Sequence, residues 1–252
     1  MIFGLEFPPI SHTVEWPDLF GSGPFAVNKV VLLMWLSAAL VFALFFAASR
    51  TQTLVPAGAK NLAEAVVDFI RESVILQTMG PDGLRWTPFL LTVFSFIFVC
   101  NIWGIIPLVQ MPVNARIALP AFLALMVWVI YNFMGIKSQG FFGYLKSVVM
   151  PPGVPKAILP LVALIEFVSK IFVYPFALAV RLFANMLAGH LLLISFAVIA
   201  SALFESTYVG AAVPLGVLIG LTGFELLVAV LQAYNFTILT AVFISGAIHP
   251  EH

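Results

Sequence analysis

The chain has 252 residues, 62% of them hydrophobic and only 9% charged, and its formal net charge is zero. Soluble domains carry about a quarter charged residues, so this composition excludes an ordinary water-soluble fold, and the balanced charge gives no basic footprint for nucleic acid. Long apolar runs, rather than short alternating ones, argue for a polytopic all-α membrane protein and against a β-barrel.

In chain order, residues 1–27 are polar, rich in Pro and Gly, and carry Glu6, Glu15 and Asp18 with no Lys or Arg. They read as an external segment; MIFGLEFPPISHTVEW has neither the basic start nor the apolar centre of a signal peptide. A first span is expected over 30–48, stopped by Ser49-Arg50. Residues 58–79 place Leu62, Val66, Phe69, Ile70 and Leu76 at helical spacing, with Lys60, Glu64, Asp68, Arg71 and Glu72 between them. That pattern suits a helix lying in the membrane interface or packed on another protein. Further spans are expected over 88–108, with Asn101 and Trp103 near its far end, and over 117–136, ended by Lys137. Residues 140–156, GFFGYLKSVVMPPGVPK, form a second interfacial candidate closed by Pro151-Pro152.

From 157 to 204 there is no polar loop, only Pro160, Pro175 and Gly189 as interruptions. As one helix this run of about 48 residues would be roughly 72 Å long, against about 30 Å for an upright crossing. Either the chain breaks near Pro175 or the helix is steeply tilted. After Glu205-Ser206-Thr207 a second overlong run covers 209–247, so the two would form a membrane hairpin. This divides the chain into an external segment (1–27), peripheral and interfacial helices (28–156), and the hairpin with the C-terminus (157–252). With the N-terminus outside, Arg50, Lys60, Arg71, Arg85, Lys137, Lys146 and Lys156 lie inside, against Lys29 and Arg116 outside, as the positive-inside rule requires. Five spans then leave His249 and His252 in the cytoplasm.

The hairpin carries polar groups that an anchor would not keep: Glu166, Ser169, Lys170, Arg181, Asn185, His190, Ser195, Glu225, Gln232 and Asn235. One charge at the bilayer centre costs about 2.5–3.5 kcal/mol on insertion scales, so such residues are functional candidates. Glu166 and Lys170 are i,i+4 and can pair; Arg181 and Asn185 have the same spacing, so the amide can orient the guanidinium. Glu225 and Gln232, i,i+7, share a face, with Asn235 a turn further. His190 lies about 13 Å beyond Arg181 along a helix and about half a turn round, at a different depth. Glu and His exchange protons, whereas Arg does not deprotonate in proteins. The pattern therefore reads as two proton paths, Glu166 on one side and His190 with Glu225 on the other, interrupted by a fixed cation. Ala177, Ala179, Ala184, Ala188 and Gly189 flank Arg181 and allow another helix to approach closely. With no carboxylate at its own level in this chain, Arg181 is expected to find its partner in another subunit.

Cys100, the single cysteine, reads as a small buried apolar residue. No P-loop, metal-ligand spacing or nucleophile–base arrangement occurs, so neither a cofactor, a metal nor a catalytic residue is expected. A secondary transporter would show internal repeats with matched broken helices, and an intramembrane enzyme would need a nucleophile–base pair; neither is seen.

The block RLFANMLAGHLLL at 181–193, the preceding PFALAV, the later FELLVAVLQAYNFTIL, and the runs LEFPPISHTVEW and TPFLLTVFSFIFVCNIWGIIP resemble subunit a of the rotary F-type ATP synthases, over nearly the whole chain. The resemblance implies a bacterial inner-membrane stator subunit with its N-terminus periplasmic, seated against a ring of c subunits and held by peripheral-stalk b subunits. It implies that Arg181 faces the ring carboxylate between two offset half-channels, and that the long helices curve along the ring. Asn185, His190, Glu225 and Gln232 match positions of the outer half-channel, and Glu166 matches the carboxylate near the cytoplasmic exit. Lys170, Ser169 and Asn235 are accessory candidates. His at 190 with Glu at 225 resembles the mitochondrial and related bacterial pattern. The stretch from Glu166 to Arg181 is one residue longer than the usual spacing, and Tyr174 replaces a basic residue that often precedes the proline.

Overall fold

A computed structural model describes residues 19, 26–50, 58–106, 109, 111–149, 158–206 and 212–248. Most of the external segment, the Pro151-Pro152 stop, the turn after Ser206 and the C-terminal histidines lie outside the described residues. Among those described the chain is helical, with no strand, and five helices are long and apolar enough to cross a membrane. This is a polytopic all-α membrane protein.

Helix α1, Lys29–Arg50, starts where the Asn28 side chain accepts the Val31 N–H at 3.2 Å, occupying a donor that a helix start leaves unused. It ends with the Arg50 guanidinium over the Phe46 ring. Helix α2, Ala59–Ile70, follows Gly58 and runs on through a π turn, Arg71–Ile75, and a last helical turn, Leu76–Thr78. It buries Ala63 and Ile70 and leaves Leu62, Phe69 and Leu76 partly exposed, as suits an amphipathic helix with a second apolar edge.

A 3-10 segment, Pro81–Trp86, leads into α3, Thr87–Ile102. The span therefore ends six residues earlier than the 88–108 run suggests. The chain turns at Trp103-Gly104, where the Gly104 N–H bonds the Asn101 carbonyl, and folds back until Pro112 packs on Gly104 so closely that a Cβ there would lie 3.0 Å from it. Hydrophobicity continues through this return, which is why the sequence alone does not mark it. Helix α4, Ala118–Gln139, stops at Gly140, whose positive φ of 75° suits glycine. Helix α5, Phe141–Val149, packs back on α4: the Tyr144 ring fills the space a Cβ at Gly135 would need, and its hydroxyl donates to Asn132 at 3.0 Å. Burial pushes the Tyr144 phenol up to about 12.

Helix α6, Leu159–Val168, passes without interruption through a second π turn, Ser169–Val173, into α7, Tyr174–Ser206. Pro175 does not break the run, so of the two sequence alternatives the continuous one holds. The apolar stretch Leu159–Phe204, 46 residues, is about 69 Å long at ~1.5 Å per residue, too long for an upright crossing. Helix α8, Ala212–Ile248, adds 37 residues.

The chain packs into two compact units, each assembled from distant stretches of sequence. The first joins residues 1–43, 95–116 and 182–233. In it the Trp103 indole donates to Ser37 at 2.8 Å, and the Lys29 ammonium donates to the Val109 carbonyl at 3.0 Å, tying α1 to the return after α3. The second joins 44–94, 117–181 and 234–252. There Phe69 packs on Phe94 and Tyr234, while Ser138 and Gln139 donate to the Ile248 and Ala247 carbonyls at the open end of α8.

Candidate functional site

The candidate residues divide between the two units. In the first, α7 and α8 run antiparallel and bring His190, Glu225 and Gln232 inside, each only 4% exposed. Two side chains seven apart on α8 share a face; Ala229 between them and Ala233 just beyond Gln232 are fully buried, so this edge of α8 is narrow and closely packed. Glu225 lies against Gly189: a Cβ at that position would stand 3.0 Å from its Oε1. Glycine at 189 leaves the carboxyl room against the α7 backbone, and a Cβ there would make it shift by a few tenths of an ångström. Both Glu225 oxygens are buried and accept no hydrogen bond from the described residues. Buried polar atoms normally have partners, so a carboxyl left without a donor stands out from the surrounding packing.

One turn beyond Glu225, the Ala229 carbonyl accepts from Asn101 at 3.4 Å, and Asn101 accepts from Asn114 at 2.6 Å. Asn114 is fully buried, and its own carbonyl oxygen lacks a donor. Sequence reasoning did not single out Asn114; the available signal was a second asparagine close after Asn101, flanked by apolar residues. Asn185 is exposed on α7, and Ser195 is spent on its own helix, donating to the Leu191 carbonyl at 2.8 Å.

In the second unit, Lys170 and Glu166 form an ion pair at 3.4 Å, with side chains 31% and 32% exposed. Ser169 is half-buried beside them, and Asn235 is exposed on α8. Arg181 is exposed, on a face of α7 where Ala177, Ala184 and Ala188 are exposed as well. Among the described residues no carboxylate pairs with Arg181. Arg181 is thus a guanidinium in a membrane-length helix, bordered by exposed alanines. Tyr131, which sequence reasoning also passed over, is 5% exposed and donates its hydroxyl to the Lys170 carbonyl at 2.6 Å. Its signal was a phenol in an otherwise apolar span.

Comparison with known proteins bears on the identity of this arrangement. The family model for the ATP synthase A chain matches residues 31–245. ATP synthase subunit a of Frankia alni is 42% identical over 99% of this chain and 88% of its own length. That of Rhodococcus erythropolis is 40% identical over 92% of the chain and 86% of its own, and that of Maricaulis maris 39% over 96% and 95%. With both halves of the hairpin inside the match, the chain belongs to the ATP synthase subunit a family.

Proposed function

We propose that this chain is the non-catalytic, proton-translocating stator subunit of an ATP synthase, forming two offset half-channels against a rotating ring of c subunits. The observation that carries the reading is Arg181: an exposed cation in a membrane helix, bordered by small residues, with no counter-ion among the described residues. A ring carboxylate from each c subunit in turn is the partner that chemistry calls for.

The cycle follows from which groups can titrate. A proton from the outer side passes Glu225, His190, Asn185 and Gln232 and neutralises the ring carboxylate. A neutral carboxyl can move through lipid because desolvation penalises chiefly the charged form. After most of a turn it meets the inner half-channel and releases its proton past Glu166, with Lys170 and Ser169 setting the local polarity. The bared carboxylate is held by Arg181, whose charge disfavours reprotonation. Because Arg does not deprotonate, it also blocks direct flow between the two paths. Each charge moved gains about 2.3 kcal/mol per 100 mV. The chain sits in the bacterial inner membrane with its N-terminus periplasmic and its C-terminus cytoplasmic; b subunits of the peripheral stalk hold it against the ring.

The test is ATP synthesis by membrane vesicles carrying Arg181→Ala in an assembled complex. The reading predicts loss by more than about 100-fold; synthesis at the normal rate would contradict it.

A further inference from the structure

The α6–α7 run contains a carbonyl that its own helix cannot satisfy. The Tyr174 N–H, which in a regular α-helix would bond the Lys170 carbonyl, bonds that of Ser169 instead, closing the π turn. The next possible donor is residue 175, a proline with no N–H. The Lys170 carbonyl is thereby orphaned twice over, in the interior of a membrane helix where an unsatisfied peptide group is expensive. The Tyr131 hydroxyl of α4 takes its place at 2.6 Å. The two tyrosines flanking this point are fixed as well: the Tyr174 ring stacks on Phe243 at 5.0 Å and 5°, and the Tyr131 ring lies 5.7 Å from the same phenylalanine.

The π turn matters because it resets the phase of everything before it. Lys170 and Arg181 are i,i+11, which at ~100° per residue puts them only about 20° apart on a regular helix, one cation below the other. A π turn absorbs one residue, turning Lys170 away by about 100° and leaving Glu166 about 40° from the Arg181 direction. The burial pattern agrees: Glu166, Ser169, Lys170 and Tyr174 are half-buried, while Arg181 lies on the exposed face with Ala177 and Ala184.

We propose that Tyr131 is a positioning residue of the inner half-channel. Its hydroxyl locks the π turn by satisfying the Lys170 carbonyl, and so keeps the Lys170 charge off the face on which Arg181 receives its partner's carboxylate. The proposal rests on the reading of Glu166 as part of the inner path.

Tyr131→Phe removes the hydroxyl and retains the ring against Phe243, so the complex assembles. In vesicles, ATP synthesis falls about five- to tenfold, and its dependence on inner pH shifts while that on outer pH stays in place. Adding Lys170→Gln restores much of the rate, because the displaced charge is the cause of the loss. Unchanged rate and pH profiles in Tyr131→Phe overturn the proposal, and so does a loss that Lys170→Gln does not relieve, including failure to assemble. Glu166→Gln separates the two levels. If it moves the inner-pH profile and Tyr131→Phe does not, only the positioning role fails; if Glu166→Gln itself leaves that profile unmoved, the underlying assignment of the inner path fails.

Discussion

The two acidic sites of this chain are built in opposite ways. Glu225 is buried against a glycine, with no donor to either oxygen and neutral neighbours such as Ala229 and Gln232. Glu166 is about one-third exposed and already paired with a lysine one turn away. The first is a carboxyl closed off from every hydrogen-bond donor among the described residues; the second is a carboxylate with a cation beside it and solvent-accessible surface left open. Position alone would not distinguish them, since both are glutamates in long apolar helices. Their surroundings do.

Substitutions can break this contrast, and the largest effect is expected at Glu225. Glu225→Gln keeps the shape and removes the titratable group, and ATP synthesis should fall by about 10²-fold, as is usual when a proton-transfer residue is lost. A rate within twofold of normal would remove Glu225 from the path. Next comes Gly189→Ala, whose Cβ would stand 3.0 Å from the Glu225 Oε1 and push the carboxyl away. We expect a loss of about five- to tenfold from a displacement of this size at a site of proton transfer. In a Glu225→Gln background the same change should cost much less, and equal losses in both backgrounds would show that the glycine serves packing alone.

The inner site should be more forgiving. Lys170→Gln removes a partly exposed partner at 3.4 Å, a class of pair worth about 0–1 kcal/mol, so a change of roughly twofold is expected in ATP synthesis. Smallest of all is Tyr144→Phe, away from both sites, which loses one hydrogen bond to Asn132 and about 1 kcal/mol of stability. The Tyr144 phenol is raised from 10.0 to about 12, so folding favours its protonated form. That contribution is intact below pH ~10 and is lost as pH rises towards 12. Unfolding in detergent followed between pH 7 and 11 would show the Tyr144→Phe difference constant at the lower end and shrinking at the upper; a difference that grew with pH would contradict the assignment.

Much of this was legible in the sequence, for identifiable reasons. Apolar runs of bilayer length located the helices, and polar residues inside them stood out because membrane burial is costly, which made Arg181, His190, Glu225 and Gln232 candidates. What escaped was whatever depended on chain reversal or backbone hydrogen bonding. The return after Ile102 still carries apolar Ile105, Ile106 and Leu108, so the apolar run extends past the end of the helix. The π turn at Ser169–Val173 escaped because it is a matter of backbone hydrogen bonding inside a continuous apolar helix. Tyr131 and Asn114 were hidden because their partners, Lys170 and Asn101, lie 39 and 13 residues away and include a backbone carbonyl.

The central claim is that two separate proton paths, one holding Glu225 and one holding Glu166, meet only at Arg181. ATP synthesis in vesicles, with pH varied on one side at a time, tests it most directly. Glu225→Gln should move the outer-pH profile and leave the inner one in place, and Glu166→Gln should do the reverse. If either substitution moves both profiles together, the two carboxyls share one path and the account is wrong.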